Sequence, residues 1–139
     1  KWFLETLGVW VSTLNKCEYC VEHHFAGLKR LLNDDEKATQ IRSAIDTNKI
    51  EEAPLENCQK TAMEYARKLT HNPGSIREES IEKLRADGYT DGEILEINQV
   101  CAYFSYANRT VLGLGCSTKG DILGLSPNNN HDPNDWGHS

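Results

Sequence analysis

The stretch from Thr90 to Gly115 restricts the fold most. Thr90-Asp91-Gly92-Glu93 has the form of a capping box, in which the Thr and Glu side chains each satisfy an orphan N–H at a helix start. Ile94, Ile97, Val100, Cys101, Phe104, Ala107, Val111 and Leu112 follow at helical spacing. This pattern predicts a helix over about Asp91 to Leu114 with that face inward, ended by Gly113 and Gly115. Such a helix is about 36 Å long. It needs apolar partners along most of that length.

The rest of the chain supplies them as helices. Trp2, Phe3, Leu7, Trp10, Val11 and Leu14 predict a largely buried helix over residues 1–14, with Glu5 as its only acid. Asn15, with Glu18 three residues on, reads as the N-cap of a second helix over about Lys16 to Leu32. Phe25, Leu28, Leu31 and Leu32 give that helix its apolar face. A third runs from Asp34 to about Asp46, with Ile41 and Ile45 inward. After a polar connection from Thr47 to Ala53, Pro54 is placed in the first turn of a fourth helix reaching about Thr70. Asn72-Pro73-Gly74 breaks it, and Ser75-Ile76-Arg77-Glu78 reads as a capping box for a short helix ending at Asp87-Gly88. No segment alternates with period two long enough to argue a strand. The expected class is all-α: a compact helical domain of about six helices over residues 1–115, with an extended, Pro/Asn-rich C-terminal tail over residues 116–139. Lys1 already lies inside a helical pattern, so further chain is expected upstream of it.

Charge and cysteine usage narrow the function. Fifteen Lys and Arg against 21 Asp and Glu give a net charge of −6 over 139 residues, which argues against a nucleic-acid partner and against an anionic membrane surface. No apolar run approaches the roughly 18 residues of a membrane span. The five cysteines are Cys17, Cys20, Cys58, Cys101 and Cys116, an odd and scattered set that reads as a reducing, cytoplasmic compartment. Cys101 falls on the inward face of the longest helix and reads as a small core residue. Cys58 and Cys116 have no partner by spacing.

Only Cys17 and Cys20 form a close pair, in the run Cys17-Glu18-Tyr19-Cys20-Val21-Glu22-His23-His24. On a helix, Cys17, Cys20 and His24 share one stripe, and thiols three residues apart lie within reach of a disulfide. Four readings follow. Both cysteines are buried small residues; or Cys17, Cys20, His24 and Glu5 form a nominal zinc set, poorly tetrahedral on a continuous helical stripe; or the run holds a c-type haem; or it is a redox dithiol. The haem reading fails, because Val21 occupies the place of the required His. The redox reading needs a thiolate, a base and a second thiol, all of which are present. The helix start favours Cys17 as the thiolate. His23 and His24, at i+3 and i+4 from Cys20, favour Cys20.

Glu5 stands twelve residues before Cys17, and His24 four after Cys20. In these spacings the chain resembles the alkylhydroperoxidase D (AhpD) branch of the carboxymuconolactone decarboxylase superfamily, and within it the uncharacterised peroxidase-related proteins. Val11-Ser12, Asn15, His23-His24, Tyr65-Ala66-Arg67-Lys68-Leu69-Thr70, Ile97-Asn98-Gln99-Val100, Ala102-Tyr103-Phe104, Asn108-Arg109 and Gly113-Leu114-Gly115 extend the likeness over nearly the whole chain. The resemblance implies a small all-helical fold that assembles into homotrimers or homohexamers. It implies antioxidant, thiol-dependent reduction of hydroperoxides, with no cofactor or metal and with an external dithiol, a protein or a lipoyl-type group, as reductant. Cys20 would be the peroxidatic thiol, Cys17 the resolving one, His24 the base and Glu5 its orienting partner. The chain departs from the founding branch at Tyr19, where that branch carries a His. A redox-sensing or binding module with little turnover is the alternative. Lactone decarboxylation is disfavoured, since that branch lacks the cysteine pair.

Other residues have less pointed readings. Glu5 in an aromatic-rich helix implies a paired carboxylate, since buried acids are rare unless paired. His23 lines the site, pairs with Tyr19 at i+4, or meets another subunit. Asn98, Gln99 and Arg109 read as network or interface residues, and His71, His131 and His138 as solvated. Trp2, Phe3 and Trp10 exceed what a small monomer core needs, which points to an interface.

Overall fold

The computed structural model describes residues 1–124. Its six α-helices are α1 (Trp2–Leu14), α2 (Glu18–Leu32), α3 (Asp35–Asp46), α4 (Asn57–His71), α5 (Glu78–Ala86) and α6 (Asp91–Leu114). Single 3₁₀ turns lie at Ile50–Glu52 and Pro73–Ser75, and no strand occurs among the described residues. None of these helices is long and apolar enough to cross a membrane.

α1 is the axis of the fold. Seven consecutive residues, Thr6 to Ser12, are buried, so this helix is covered all round. It packs on α2, α4 and α6, with a smaller contact to α3. Trp10 is 1 % exposed and its Nε1 donates to the Met63 carbonyl of α4 at 2.9 Å. Trp10 therefore belongs to the core, contrary to the interface expected for it, and Trp2 and Phe3 are partly buried against the same core. On α6, Ile94, Ile97, Cys101, Phe104 and Asn108 are buried, while Leu112 on the last turn is exposed. The opposite face carries Leu95, Tyr103, Tyr106 and Leu114, all exposed and within an arc of about 100°.

The helix ends show where sequence chemistry succeeds. Thr90 and Glu93 form the expected capping box, Asp34 caps α3 by accepting from the Lys37 N–H, and Gly115 ends α6 in the left-handed conformation. Three expected helix starts are placed differently. Asn15 ends α1, and Cys17 is the N-cap of α2. Pro54 precedes α4, whose N-cap is Glu56, with Gln59 accepting from the Glu56 N–H. Ser75 turns back to the Asn72 carbonyl, leaving Arg77 as the N-cap of α5.

After Gly115 the chain is irregular and returns across α2 as far as Gly124. The remainder of the expected tail, with Ser126 to Pro133, His131 and His138, lies outside the described residues.

Candidate active site

The site is built at the turn between α1 and α2. Lys16 takes a left-handed conformation with φ 58°, which costs a non-glycine residue about 1–2 kcal/mol. The reversal lets the Cys17 N–H donate to the Ser12 carbonyl at 2.9 Å. Cys17 sits at the N-cap and Cys20 in the first turn of α2, with their sulfurs 3.1 Å apart and both thiols free. A disulfide needs about 2.05 Å, so a displacement of about 1 Å would close it. Cys17 is 0 % exposed and Cys20 is 5 % exposed.

A buried polar network backs this turn. Asn108 of α6 is fully buried. Its Nδ2 donates to Ser12 Oγ at 2.9 Å, and its Oδ1 accepts from Asn15 Nδ2 at 3.1 Å. Asn108 also acts on Cys20, drawing its pKa down. Sequence reading gave Asn108 no role. The available signal was a polar side chain in phase with Ile97, Cys101 and Phe104 on the inward face of α6.

Burial pushes the Cys20 thiol from 9.0 up to about 12, reinforced by its hydrogen bond with Cys17 and opposed by that of Asn108. The resting Cys20 is thus a thiol. Burial is the largest influence on Cys20, and neither His23 nor His24 is among the groups that shift it.

Glu5 and His24 meet across α1 and α2, with Oε2 to Nδ1 at 2.8 Å. The carboxylate accepts, so Nδ1 carries the hydrogen and Nε2 remains for other work. The His24 ring lies edge-on to Phe104 at 4.5 Å. Two glycines allow this closeness. A Cβ on Gly8 would stand 2.3 Å from the Phe104 ring, and one on Gly27 would stand 3.4 Å from Glu5 Oε2.

His23 faces elsewhere. Its ring lies 4.6 Å from that of Tyr19, the expected i+4 pairing, and its Nε2 is 3.2 Å from Asp121 Oδ2. Burial, and then the nearby Asp121 carboxylate, raise the Tyr19 phenol above its usual range. Asp121 escaped sequence reading because no local pattern connects it to a partner 98 residues away.

The expected residues therefore form two pairs, Cys17 with Cys20 and Glu5 with His24, carried by adjoining turns of α1 and α2. No direct hydrogen bond joins His24 to Cys20 among the described residues. Among those residues, no three His, Cys, Asp or Glu side chains converge as a metal site requires. An open cleft of about 250 Å³ adjoins the Cys17 end, with Lys16, Glu18, Arg42 and Asp46 in its rim. Asn98 serves the fold, donating to the Tyr65 hydroxyl at 2.8 Å. Gln99 and Arg109 are exposed, and Arg109 bonds its own helix at the Ser105 carbonyl.

No family model matches this chain, and no curated protein matches it. Solved structures do. An uncharacterized peroxidase-related protein from Silicibacter sp. TM1040 is 30% identical, with a TM-score of 0.75, over 84% of this chain and 59% of that one. An uncharacterized peroxidase-related protein from Ralstonia eutropha JMP134, described as an alkylhydroperoxidase AhpD core, is 26% identical, with a TM-score of 0.72, over 81% of this chain and 57% of that one. The chain thus spans less than two thirds of the length of either. Its fold is AhpD-like.

Proposed function

We propose that this AhpD-like chain is a thiol-dependent peroxidase that reduces hydroperoxides, alkyl hydroperoxides among them, through Cys17 and Cys20. The observation that carries the reading is the side-by-side placement of a free dithiol, 3.1 Å between sulfurs, and an oriented imidazole–carboxylate pair, 2.8 Å from Glu5 to His24. The names of the two similar structures support it.

In this reading a hydroperoxide oxygen bridges Cys20 and His24. The Cys20 proton passes towards His24 Nε2 while the sulfur attacks the outer oxygen, and the O–O bond breaks. The inner oxygen leaves as an alcohol, taking a proton, and Cys20 becomes a sulfenic acid. Cys17 then attacks the Cys20 sulfur, water leaves, and a disulfide forms. An external dithiol reduces it and is itself oxidised to a disulfide. Because Cys20 rests as a thiol, base assistance is needed at the moment of attack, and Glu5 holds the base for that step. A reducing, cytoplasmic setting fits the free thiols.

The same reading carries assembly of copies, as a homotrimer or homohexamer. Leu95, Tyr103, Tyr106 and Leu114 on the outer face of α6 supply an apolar surface for a second copy. Light scattering decides this; a monomer removes the assembly.

A redox sensor with little turnover is the second reading, favoured by the Cys20 value of about 12. Hydroperoxide consumption in the presence of a dithiol, compared between wild type and Cys20→Ser, separates the two. Cys20-dependent turnover supports the peroxidase. Its absence with every hydroperoxide and dithiol tried sinks it.

A further inference from the structure

A disulfide between Cys17 and Cys20 has two sulfurs, and a reductant can open it at either. Thiol–disulfide exchange is an in-line displacement: the attacking, attacked and leaving sulfurs lie on one line. Attack at Cys20 therefore comes from the side of its sulfur that faces away from Cys17. Attack at Cys17 comes from the side that faces away from Cys20.

Peroxide reduction already uses the first of these sides. When Cys17 displaces water from a Cys20 sulfenic acid, the leaving oxygen stands opposite Cys17 on the Cys20 sulfur. A hydroperoxide delivered that oxygen, so turnover itself requires that side to admit a reactant. No step requires the far side of Cys17. There the sulfur offers no surface: Cys17 is 0 % exposed, against 5 % for Cys20, although it lines the open cleft rimmed by Lys16 and Arg42. Backbone bonds fix Cys17 in that position. Its N–H donates to the Ser12 carbonyl at 2.9 Å, and its carbonyl accepts from the Val21 N–H at 3.0 Å.

The leaving groups differ in the same sense. Cys17 is the N-cap of α2, and its side chain makes no cap hydrogen bond in the resting protein. The first-turn N–H groups and the helix dipole are thus available to negative charge on a departing Cys17 sulfur. Cys20 is pushed up to about 12, chiefly by burial, and a thiol of high pKa leaves slowly.

We infer that the external dithiol opens the disulfide at Cys20, entering where the hydroperoxide entered, and that Cys17 is the sulfur that leaves. One thiol of the reductant, as its thiolate, attacks Cys20 Sγ. The S–S bond breaks, its electron pair stays on Cys17, and Cys17 takes the proton that the attacking thiol gave up. The second thiol then attacks the reductant's own sulfur, the mixed disulfide breaks, and Cys20 takes the second proton. The cysteine pair gains two electrons and the reductant leaves as a disulfide. In this order the better leaving group serves the intermolecular step, and Cys20 leaves in the step that proximity assists. This rests on the Cys17–Cys20 disulfide of the reading above.

The test oxidises the full chain with diamide, and peptide mapping checks that Cys17 and Cys20 are joined. Mercaptoethanol, a monothiol that halts at the mixed disulfide, is added for increasing times. Samples are quenched in acid and alkylated with N-ethylmaleimide, and mass spectrometry locates each adduct. At the earliest times, mercaptoethanol on Cys20 with alkylated Cys17 is expected to exceed the reverse arrangement about tenfold. Adducts mainly on Cys17, or equal on both, overturn the inference and leave the peroxidase reading standing. Failure of diamide to join Cys17 to Cys20 overturns both. No hydroperoxide enters this measurement, so a chain without peroxidase turnover can still show opening at Cys20.

Discussion

Glu5 Oε2 lies 2.8 Å from His24 Nδ1, joining the first turn of α1 to the second turn of α2. The two residues are 19 apart in sequence, and the packing of α1 on α2 makes the contact. A carboxylate in this position fixes the imidazole tautomer and supports the charge the ring gains when it takes a proton. Glu5→Gln is expected to lower kcat/KM for hydroperoxide about 10- to 100-fold, and His24→Gln by about 100-fold or more. The double variant should be little worse than His24→Gln alone, because both act through one ring. Steady-state kinetics on the four proteins measures this. Losses that multiply independently would show that Glu5 does not act through His24.

The Gly8–Phe104 contact supports the same imidazole from its other side. Gly8→Ala forces a methyl into the Phe104 ring and is expected to cost about 1–3 kcal/mol of stability and to lower activity with it. Gly8→Ala combined with Phe104→Leu should recover much of the stability and little of the activity, because His24 then lacks its aromatic neighbour. Urea denaturation and turnover on the same samples read the two effects separately.

Asn108 joins α6 to the Cys17 turn. Asn108→Ala leaves the buried Ser12 Oγ without its donor and the partly buried Asn15 Nδ2 without its acceptor. The expected loss is about 1–3 kcal/mol. The variant also removes the contact that draws the Cys20 pKa down, so alkylation of Cys20 at pH 8.5 should slow. Faster alkylation without unfolding would contradict that role.

Cys20 and Cys101 both sit at about 12, raised from 9.0 chiefly by burial. Above pH 9 the unfolded chain loses these protons and the folded chain keeps them. Stability is therefore full below pH 9 and falls as pH rises towards 12. The urea midpoint is expected to drop between pH 9 and pH 11, and to drop less in Cys101→Val. A midpoint that holds constant over that range would show that the two thiols are not protected by burial.

Much of this was legible in the sequence, for reasons that differ by residue. Helical periodicity and the Thr90 box fix α6 to its observed bounds, because caps and apolar spacing are local signals. The spacing and the resemblance pointed to one relay of Glu5, His24, Cys20 and Cys17; hydrogen bonds join Cys17 to Cys20 and Glu5 to His24, and none joins His24 to Cys20 among the described residues. The expected helix starts at Asn15, Pro54 and Ser75 fail for different reasons: a tertiary contact draws the Asn15 side chain to Asn108, Ser75 bonds the nearby Asn72 carbonyl, and α4 begins only at Asn57, after Pro54. Burial at Cys20 was not legible, since it depends on the tertiary packing of α1 and α6 on α2. Asp121 was invisible for the same reason.

The most direct measurement is the site of oxidation. Cys17→Ser and Cys20→Ser proteins, each treated with hydroperoxide and a sulfenic-acid trap, are compared by mass spectrometry. With Cys20 as the attacking thiol, the trapped adduct forms at Cys20 in Cys17→Ser and is absent from Cys20→Ser. An adduct found only at Cys17, in Cys20→Ser, would contradict it and move the attack to the N-cap thiol.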